Sequence, residues 1–155
     1  TDEDIARGLS DVRWPGRMEV LREDPLVIAD GAHNGESARR LVEALREYGR
    51  VERATFIVAC LGDKDVASLV AEVAPMAERV FATQTEHPRA MNASQVASSF
   101  RDSGVPADTC ESVESAVDKA IDVTPSDGVI CLVGSLSVAA EGREHLTETV
   151  VRARG

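Results

Sequence analysis

The chain has 155 residues, 43% of them hydrophobic, which is enough for one ordinary domain with its own core. Its 27 acidic residues outnumber its 17 basic ones, and the formal charge of −10 repels phosphodiester backbones and anionic lipids, which argues against nucleic-acid and membrane roles. Only two of the basic residues are lysines, and a surface so rich in acid and poor in lysine fits either an ordinary acidic domain or one adapted to high salt.

The three cysteines stand apart in the sequence, at positions 60, 110 and 131, and form no C-x-x-C pair. Such a set is not a disulfide framework, and Cys60 and Cys131 lie in apolar runs where a thiol behaves as a small hydrophobe. No apolar stretch reaches the roughly 20 residues that span a bilayer, and the first residues lack a signal-peptide pattern. We therefore expect a protein of the reducing cytoplasm.

Apolar strands alternate with amphipathic helices along most of the chain. Residues 1–13 predict a short helix that ends an upstream region, and residues 14–155 are expected to form one domain. The predicted strands cover residues 26–30, 55–61, 79–83, 108–110 and 128–133. The predicted helices cover residues 36–48, 65 to about 77, 92–103 with a capping box of Asn92 and Gln95, 112–123 and about 137–152.

The predicted strands are apolar throughout, which is typical of a parallel sheet covered on both faces. The sequence therefore predicts an α/β fold, a doubly wound, mostly parallel, Rossmann-like sheet of five or six strands with helices on both faces. Polar residues follow four of the strands, in segments 30–34, 62–65, 84–89 and 134–135. Ligands bind at this edge of such a sheet, and the residue types suit ribose, phosphate and carboxylate groups.

Two segments have distinctive sequences, Trp14-Pro15-Gly16-Arg17-Met18-Glu19 and Asp30-Gly31-Ala32-His33-Asn34. They resemble the start of the C-terminal domain of folylpolyglutamate and dihydrofolate synthases, in the Mur ligase superfamily. Gly62-Asp63-Lys64-Asp65, His87-Pro88-Arg89-Ala90 and Gly134-Ser135-Leu136 are similar to further segments of that family. Peptidoglycan-building members tend to carry tyrosine where this chain has Gly31, so the folate branch is the closer one.

The resemblance implies roles for six residues. Arg17 and Asp30 would bind ATP, Arg17 at the phosphates and Asp30 at the ribose. Four residues would bind glutamate: His33, Lys64, Arg89 and Ser135. Because Asp30 is expected at a loop edge, its replacement is expected to spare the fold.

Structural roles are the alternatives for the same residues. Arg17 could pair with Glu19, Asp30 could cap the following helix, and His33 could satisfy a loop carbonyl. Lys64 could be a solvated charge, Ser135 could be a helix cap, and His87 is expected to be a bystander. The chain also departs from the family at Gly35, where proline is usual, and at Ser137, where an aromatic residue is frequent; a small loss of helix stability is expected from the former.

The resemblance also implies a reaction. ATP would phosphorylate a carboxylate of dihydropteroate or folate, and the glutamate amine would attack the acyl phosphate. The chain has no phosphate loop and no set of carboxylates suited to Mg²⁺; in the family these belong to a preceding ATPase domain of the same polypeptide. This domain is therefore expected to position substrates, to carry no catalytic residue and no metal site of its own, and to be inactive alone.

A free-standing nucleotide-binding or regulatory module is the alternative from another functional class. Phosphate-receiver domains need an acidic pocket around a phosphorylatable aspartate, and Asp30, Asp63 and Lys64 could imitate one. The sequence does not distinguish dihydropteroate from a folate as the acceptor, or exclude fusion to another folate enzyme.

Overall fold

The computed structural model describes residues 1, 3–5, 7, 17–62 and 65–155. The strands in the described part are β1 Glu19–Glu23, β2 Leu26–Ala29, β3 Ala54–Val58, β4 Ala77–Ala82, β5 Ala107–Thr109 and β6 Val129–Val133. The helices are α1 Gly35–Glu47, α2 Val66–Val73, α3 Ala93–Asp102, α4 Val113–Val123 and α5 Leu136–Arg154. Strands and helices thus alternate from β2 onward, as the sequence predicts.

The strands form one six-stranded sheet in the order β1-β2-β6-β3-β4-β5. Every pair from β2 to β5 is parallel, whereas β1 lies antiparallel to β2 at one edge. All residues of β2, β3 and β6 are buried, because helices cover both faces of the sheet. The predicted doubly wound α/β fold is confirmed, with six strands.

Two hydrophobic clusters pack on the two faces of the sheet. Residues from α1, α2 and α3 pack on one face around Phe56 and Phe100, both completely buried. Residues from α4 and α5 pack on the other face, against Ile57 and Leu132. Burial of such a side chain contributes about 1.5–3 kcal/mol, so these layers hold the strand ends, and the loops that follow them, in place.

Strand β1 was not among the predicted elements. Its sequence mixes acidic and basic residues with apolar ones, and none of its five residues is fully buried. Its register with β2 shifts between Val20 and Arg22, which marks an irregularity of the bulge type. The apolar continuity that reveals the central strands is therefore missing at this edge.

Three predicted boundaries were wrong, at the end of β3, at the end of α2 and at the start of β4. The strand predicted to reach residue 61 ends at Val58, because its neighbour β6 turns away at Gly134 after one last bond from the Ala59 N–H. The helix predicted to reach about residue 77 ends at Val73, because Pro75 lacks the N–H that a helix interior needs. The chain then enters β4 at Ala77, two residues before the predicted strand.

Side chains cap the N-termini of α1 to α5, at Asn34, Asp65, Asn92, Ser112 and Ser135. Each cap of this kind is worth about 1 kcal/mol. The capping box predicted for Asn92 and Gln95 is instead a bond from the Ser94 N–H to Asn92. A capping box does form at Asn34 and Ser37.

At the N-terminus, residues 3–5 and 7 are helical, and the rest of the predicted helix up to residue 13, with the proposed domain boundary, lies outside the described residues. In the described part of the chain, no helix has the length and apolar character needed to cross a membrane. The three cysteines are free and buried, and burial raises the pKa of the Cys60 thiol to about 12. Cys60 therefore behaves as a small hydrophobe, as predicted.

Candidate functional site

The four polar loops at the carboxyl edge of the sheet are joined to one another by hydrogen bonds. The bonds run from Gly134 N to Ala32 O at 2.8 Å, from Ser135 Oγ to Ala59 O at 3.0 Å, and from Gly62 N to Arg89 O at 2.8 Å. Each bond joins the loop after one strand to the loop after a neighbouring strand. The expected convergence of the loops is therefore confirmed.

Gly134 has a backbone that other residues adopt only under strain. Its φ is +116°, and a Cβ at this position would lie 2.5 Å from the carbonyl oxygen of Ala59. Glycine therefore allows the loop after β6 to cross directly over the end of β3. This close approach is what brings Ser135 to the centre of the edge.

Asp30 is buried, with 3% of its surface exposed, and is not the loop-edge carboxylate expected from the sequence. One carboxylate oxygen accepts a hydrogen bond from the Met18 N–H at 3.0 Å, and the other accepts one from the Ala32 N–H at 2.8 Å. Asn34, not Asp30, caps α1. Asp30 therefore links the segment before β1 to the turn after β2. These two hydrogen bonds are here called the clasp.

Burial of the Asp30 carboxylate is unfavourable for its charged form, and nearby groups partly compensate. Desolvation raises the pKa of the Asp30 carboxyl, while the N–H groups of Ala32 and Met18 and the nearby charge of Arg17 oppose the rise. The two hydrogen bonds thus partly offset the removal of the carboxylate from water. They also fix its orientation, and each oxygen retains a second lone pair.

Arg17 is exposed and lies next to the clasp. The residue after it, Met18, has a positive φ of 50°, a conformation uncommon for residues other than glycine. Arg17 and Asp30 line one end of a cleft of about 310 Å³ that runs along α1 to Tyr48. The alternative pairing of Arg17 with Glu19 is not adopted, because Glu19 receives the guanidinium of Arg143 instead.

His33 lies in the turn between β2 and α1, partly buried. Its Nδ1 is 3.0 Å from the carbonyl oxygen of Gly31, so the ring satisfies a loop carbonyl in its Nδ1–H form. No described residue forms a hydrogen bond with Nε2, and that nitrogen remains available to accept one. The structural role and the predicted contact with a ligand are therefore compatible.

Ser135 is 4% exposed and its hydroxyl is already engaged. It donates to the Ala59 carbonyl at 3.0 Å and accepts from the Val138 N–H at 3.2 Å, which makes it the N-cap of α5. The structure thus realises the capping alternative. A contact with glutamate stays a prediction, and only the second lone pair of the oxygen is left for it.

Arg89 is exposed, in a tight turn whose shape depends on His87. The Arg89 N–H donates to Nδ1 of His87 at 3.1 Å, and the Ala90 N–H donates to the His87 carbonyl at 3.0 Å. Sequence reasoning missed this role of His87, because a histidine two residues before an arginine has no pattern that marks it as a turn former. His87 is part of the turn, not a bystander.

Lys64 lies outside the described residues, together with Asp63 and with the Trp14-Pro15-Gly16 segment. Gly35 stands where the resembled family has proline, and a Cβ there would lie 2.8 Å from the Cβ of Ser68. The small residue therefore lets the first turns of α1 and α2 approach each other closely. Among the described residues, no group of three or more His, Cys, Asp or Glu side chains is arranged to hold a metal ion.

Residues 16–136 match the family described as Mur ligase, glutamate ligase domain. The chain belongs to this family. A probable bifunctional folylpolyglutamate synthase/dihydropteroate synthase from Halobacterium salinarum is 36% identical over 149 residues, which are 96% of this chain and 18% of that protein. The chain thus spans about a fifth of the length of this relative.

Solved structures agree with this placement. The Mycobacterium tuberculosis folylpolyglutamate synthase complexed with ADP and AMPPCP superposes with a TM-score of 0.80 and 29% identity, over 87% of this chain and 33% of that one. The Yersinia pestis bifunctional folylpolyglutamate synthase/dihydrofolate synthase complexed with AMPPNP and Mn ion gives 0.77 and 31%, over 95% of this chain and 35% of that one. In both cases the chain matches one part of a longer protein.

Proposed function

We propose that this chain is the part of an ATP-dependent ligase that holds ATP and glutamate while glutamate is added to dihydropteroate or a folate. The observation that carries the proposal is the clasp of Asp30 with Met18 and Ala32, which sets a buried, oriented carboxylate beside Arg17 at the ligand-binding edge of the sheet. The nucleotides named in the solved relatives support it.

On the nucleotide side, Asp30 accepts a ribose hydroxyl through its remaining lone pairs. The exposed guanidinium of Arg17 neutralises phosphate charge, for which its planar set of donors is well suited. The clasp stops both groups from drifting apart, since the Met18 N–H is bonded to the same carboxylate. Binding therefore requires little reorganisation of this segment.

On the glutamate side, the candidates are His33, Lys64, Arg89 and Ser135. Arg89 binds a carboxylate of the incoming amino acid through charge-assisted hydrogen bonds. His33 presents Nε2 from the turn after β2. The hydrogen bonds between loops keep these groups at one edge, so that the glutamate amine is held in a single orientation.

The reaction is amide ligation through an acyl phosphate. The terminal phosphoryl group of ATP is transferred to the acceptor carboxylate, the glutamate amine attacks the acyl carbon, and inorganic phosphate and a proton leave. The phosphate loop and the carboxylates for Mg²⁺ are proposed to lie in an ATPase domain of the same polypeptide. This chain contributes the orientation of the reactants, which is worth about 7 kcal/mol or more in favourable cases.

A receiver-like regulatory module is a poorer fit to the structure. A phosphorylated aspartate gives one carboxylate oxygen to the phosphoryl group, whereas both oxygens of Asp30 accept backbone N–H groups. Phosphorylation would weaken the bond accepted by the oxygen that carries the phosphoryl group. The aspartate therefore serves better as a fixed acceptor than as a nucleophile.

The test is a ligation assay with a polypeptide that carries both the ATPase domain and this chain. Release of ADP should require glutamate together with an acceptor, and labelled glutamate should appear in the product. Dihydropteroate and tetrahydrofolate are supplied in parallel, which identifies the acceptor. ADP release that is independent of glutamate, with no incorporation of label, would contradict the proposal. This chain alone should give no ligation.

A further inference from the structure

Residues 84–90, here called the Pro-Arg turn, carry Arg89 and are held from several sides. Within the turn, His87 accepts from the N–H groups of Arg89 and Ala90. The Gly62 N–H donates to the Arg89 carbonyl, which ties the turn to the loop after β3. These bonds shape the end of the turn where Arg89 lies. In the first half, Thr85 Oγ1 accepts from the His87 N–H at 3.4 Å and Gln84 Oε1 accepts from the Ala93 N–H at 3.2 Å, and the Glu86 N–H is bonded from outside the turn.

A side chain from the last helix provides the bond to Glu86. Oε1 of Glu141, in the second turn of α5, accepts a hydrogen bond from the Glu86 N–H at 3.0 Å, and the two residues are 55 positions apart in the sequence. The start of the same helix is fixed to the other loops, through Gly134 to Ala32 and through Ser135 to Ala59. Helix α5 is thus a single rigid element that contacts the turn after β2, the end of β3 and the Pro-Arg turn.

The placement of Glu141 is electrostatically unfavourable. Its pKa is raised by partial burial first, against the bond from Glu86, and the negative charges of Glu114, Glu86 and Glu144 raise it further. A glutamate placed near three other glutamates is a poor choice for a residue that only stabilises the fold. A carboxylate does, however, accept an N–H bond more strongly than a neutral group, which suits a contact that must keep a loop in one position.

We propose that Glu141 is a positioning residue for the amino-acid substrate: it holds the Pro-Arg turn so that Arg89 meets the incoming carboxylate. This inference rests on the proposed function, because it takes Arg89 as a ligand of glutamate. Glu141 acts through the Glu86 N–H and touches no reacting atom. Because α5 also anchors the turn after β2, the residue sets the position of the glutamate side relative to the nucleotide side.

The test compares Glu141→Leu with the matched control Glu141→Gln. Leucine removes the acceptor, whereas glutamine keeps an amide oxygen at the same place. The first readout is amide hydrogen exchange of Glu86 in the 155-residue chain, and it does not depend on any activity. The second readout is the KM for glutamate and for ATP, measured in the polypeptide that also carries the ATPase domain.

In Glu141→Leu, the Glu86 amide should exchange about tenfold faster, the fold-change that corresponds to loss of one hydrogen bond to a charged group. The KM for glutamate should rise severalfold, while the KM for ATP and kcat stay within about twofold. Glu141→Gln should retain most of the protection and most of the affinity for glutamate. Amides in β3 and β6 serve as internal references for global stability.

Two results would overturn the inference. Unchanged exchange at Glu86 in Glu141→Leu would mean that the contact does not hold the turn. An equal rise in both KM values would indicate a general structural defect in place of substrate positioning. If the wild type adds no glutamate, the proposed function fails and the substrate part of this inference fails with it, whereas the exchange readout still decides whether Glu141 holds the turn.

Discussion

Arg143 on α5 binds the carboxylate of Glu19, the first residue of β1, across 124 positions of sequence. Its Nε lies 2.8 and 3.0 Å from the two carboxylate oxygens, and its Nη2 contacts one of them as well. Glu19 directly follows Met18, whose N–H donates a hydrogen bond to Asp30. The backbone that directly follows Arg17 is therefore held twice, by the buried clasp at Met18 and by the partly exposed ion pair at Glu19.

Asp30 is expected to be important for stability as well as for the nucleotide. Asp30→Ala should lower the free energy of unfolding by about 2–4 kcal/mol, because it leaves the buried N–H groups of Met18 and Ala32 without an acceptor. Asp30→Asn, which retains one acceptor oxygen, should lose less. Urea unfolding of the 155-residue chain measures both values. A loss below about 0.5 kcal/mol in Asp30→Ala would show that the clasp is not maintained in solution.

Arg17 permits a cleaner test of nucleotide binding, since it is exposed and its removal should leave the core intact. Arg17→Gln should raise the KM for ATP by about tenfold or more, the effect of losing a charge-assisted hydrogen bond of about 1.5–3 kcal/mol. Arg46→Gln, an exposed change of the same charge on α1, is the control. Equal KM values for ATP in the two variants would remove Arg17 from the nucleotide site.

The shape of the Pro-Arg turn should depend on the acceptor nitrogen of His87. His87→Ala is expected to weaken saturation by glutamate severalfold with little effect on ATP, because the Arg89 N–H loses its partner. Asparagine can accept from the N–H two residues ahead, as in an Asx-turn, so His87→Asn should restore most of the affinity. Arg89→Ala should weaken glutamate binding at least as much as His87→Ala. If His87→Asn behaves like His87→Ala, the turn bond does not matter.

Glu141 gives a pH dependence of stability whose sign follows from its raised pKa. A carboxyl with a higher pKa in the folded chain than in the unfolded chain stabilises the fold below its ordinary value near 4.5, and this contribution is lost as the pH rises through the folded value. The Tm of the wild type minus that of Glu141→Gln should therefore fall as the pH rises above about 4.5. Glu148→Gln, on the exposed end of α5, controls for loss of a charge. A difference that rises with pH would contradict the assignment.

The acidic surface leads to a prediction about salt. A formal charge of −10 with only two lysines should destabilise the fold by self-repulsion in dilute buffer, and screening should remove this cost. The Tm should climb between dilute and molar KCl, a salt that does not act mainly by exclusion. The 36% identity to a protein of Halobacterium salinarum supports the expectation. A flat response would favour an ordinary acidic domain.

Most of the fold could be predicted because its central strands are buried on both faces. The continuous apolar runs at Leu26–Ala29 and Val129–Val133 mark the sheet without reference to any partner. Strand β1 could not be predicted in this way, because a half-exposed edge strand has no continuous apolar run. The end of α2 differs from the prediction because apolar residues continue on both sides of Pro75, although proline cannot occupy a helix interior.

The candidate site could be predicted only as a set of residue types at strand ends. Parallel strands bring their carboxyl ends to one edge, so the convergence of the loops follows from the fold class alone. The burial of Asp30 does not, because it depends on the return of Met18 to the turn after β2. The roles of His87 and Glu141 depend in the same way on backbone N–H groups, which are present at almost every position and carry no sequence signal.

The irregular register of β1 also has a consequence for how molecules of this protein meet. An exposed edge strand offers unpaired N–H and C=O groups to any other extended chain, and bulges and charged side chains are means of preventing such pairing. β1 has both, with the shift between Val20 and Arg22 and with Glu and Arg side chains along its length. At the opposite edge, β5 is only three residues long. Neither edge strand is therefore a good template for pairing with a strand of another molecule. The domain can reach high concentration without forming a continuous intermolecular sheet.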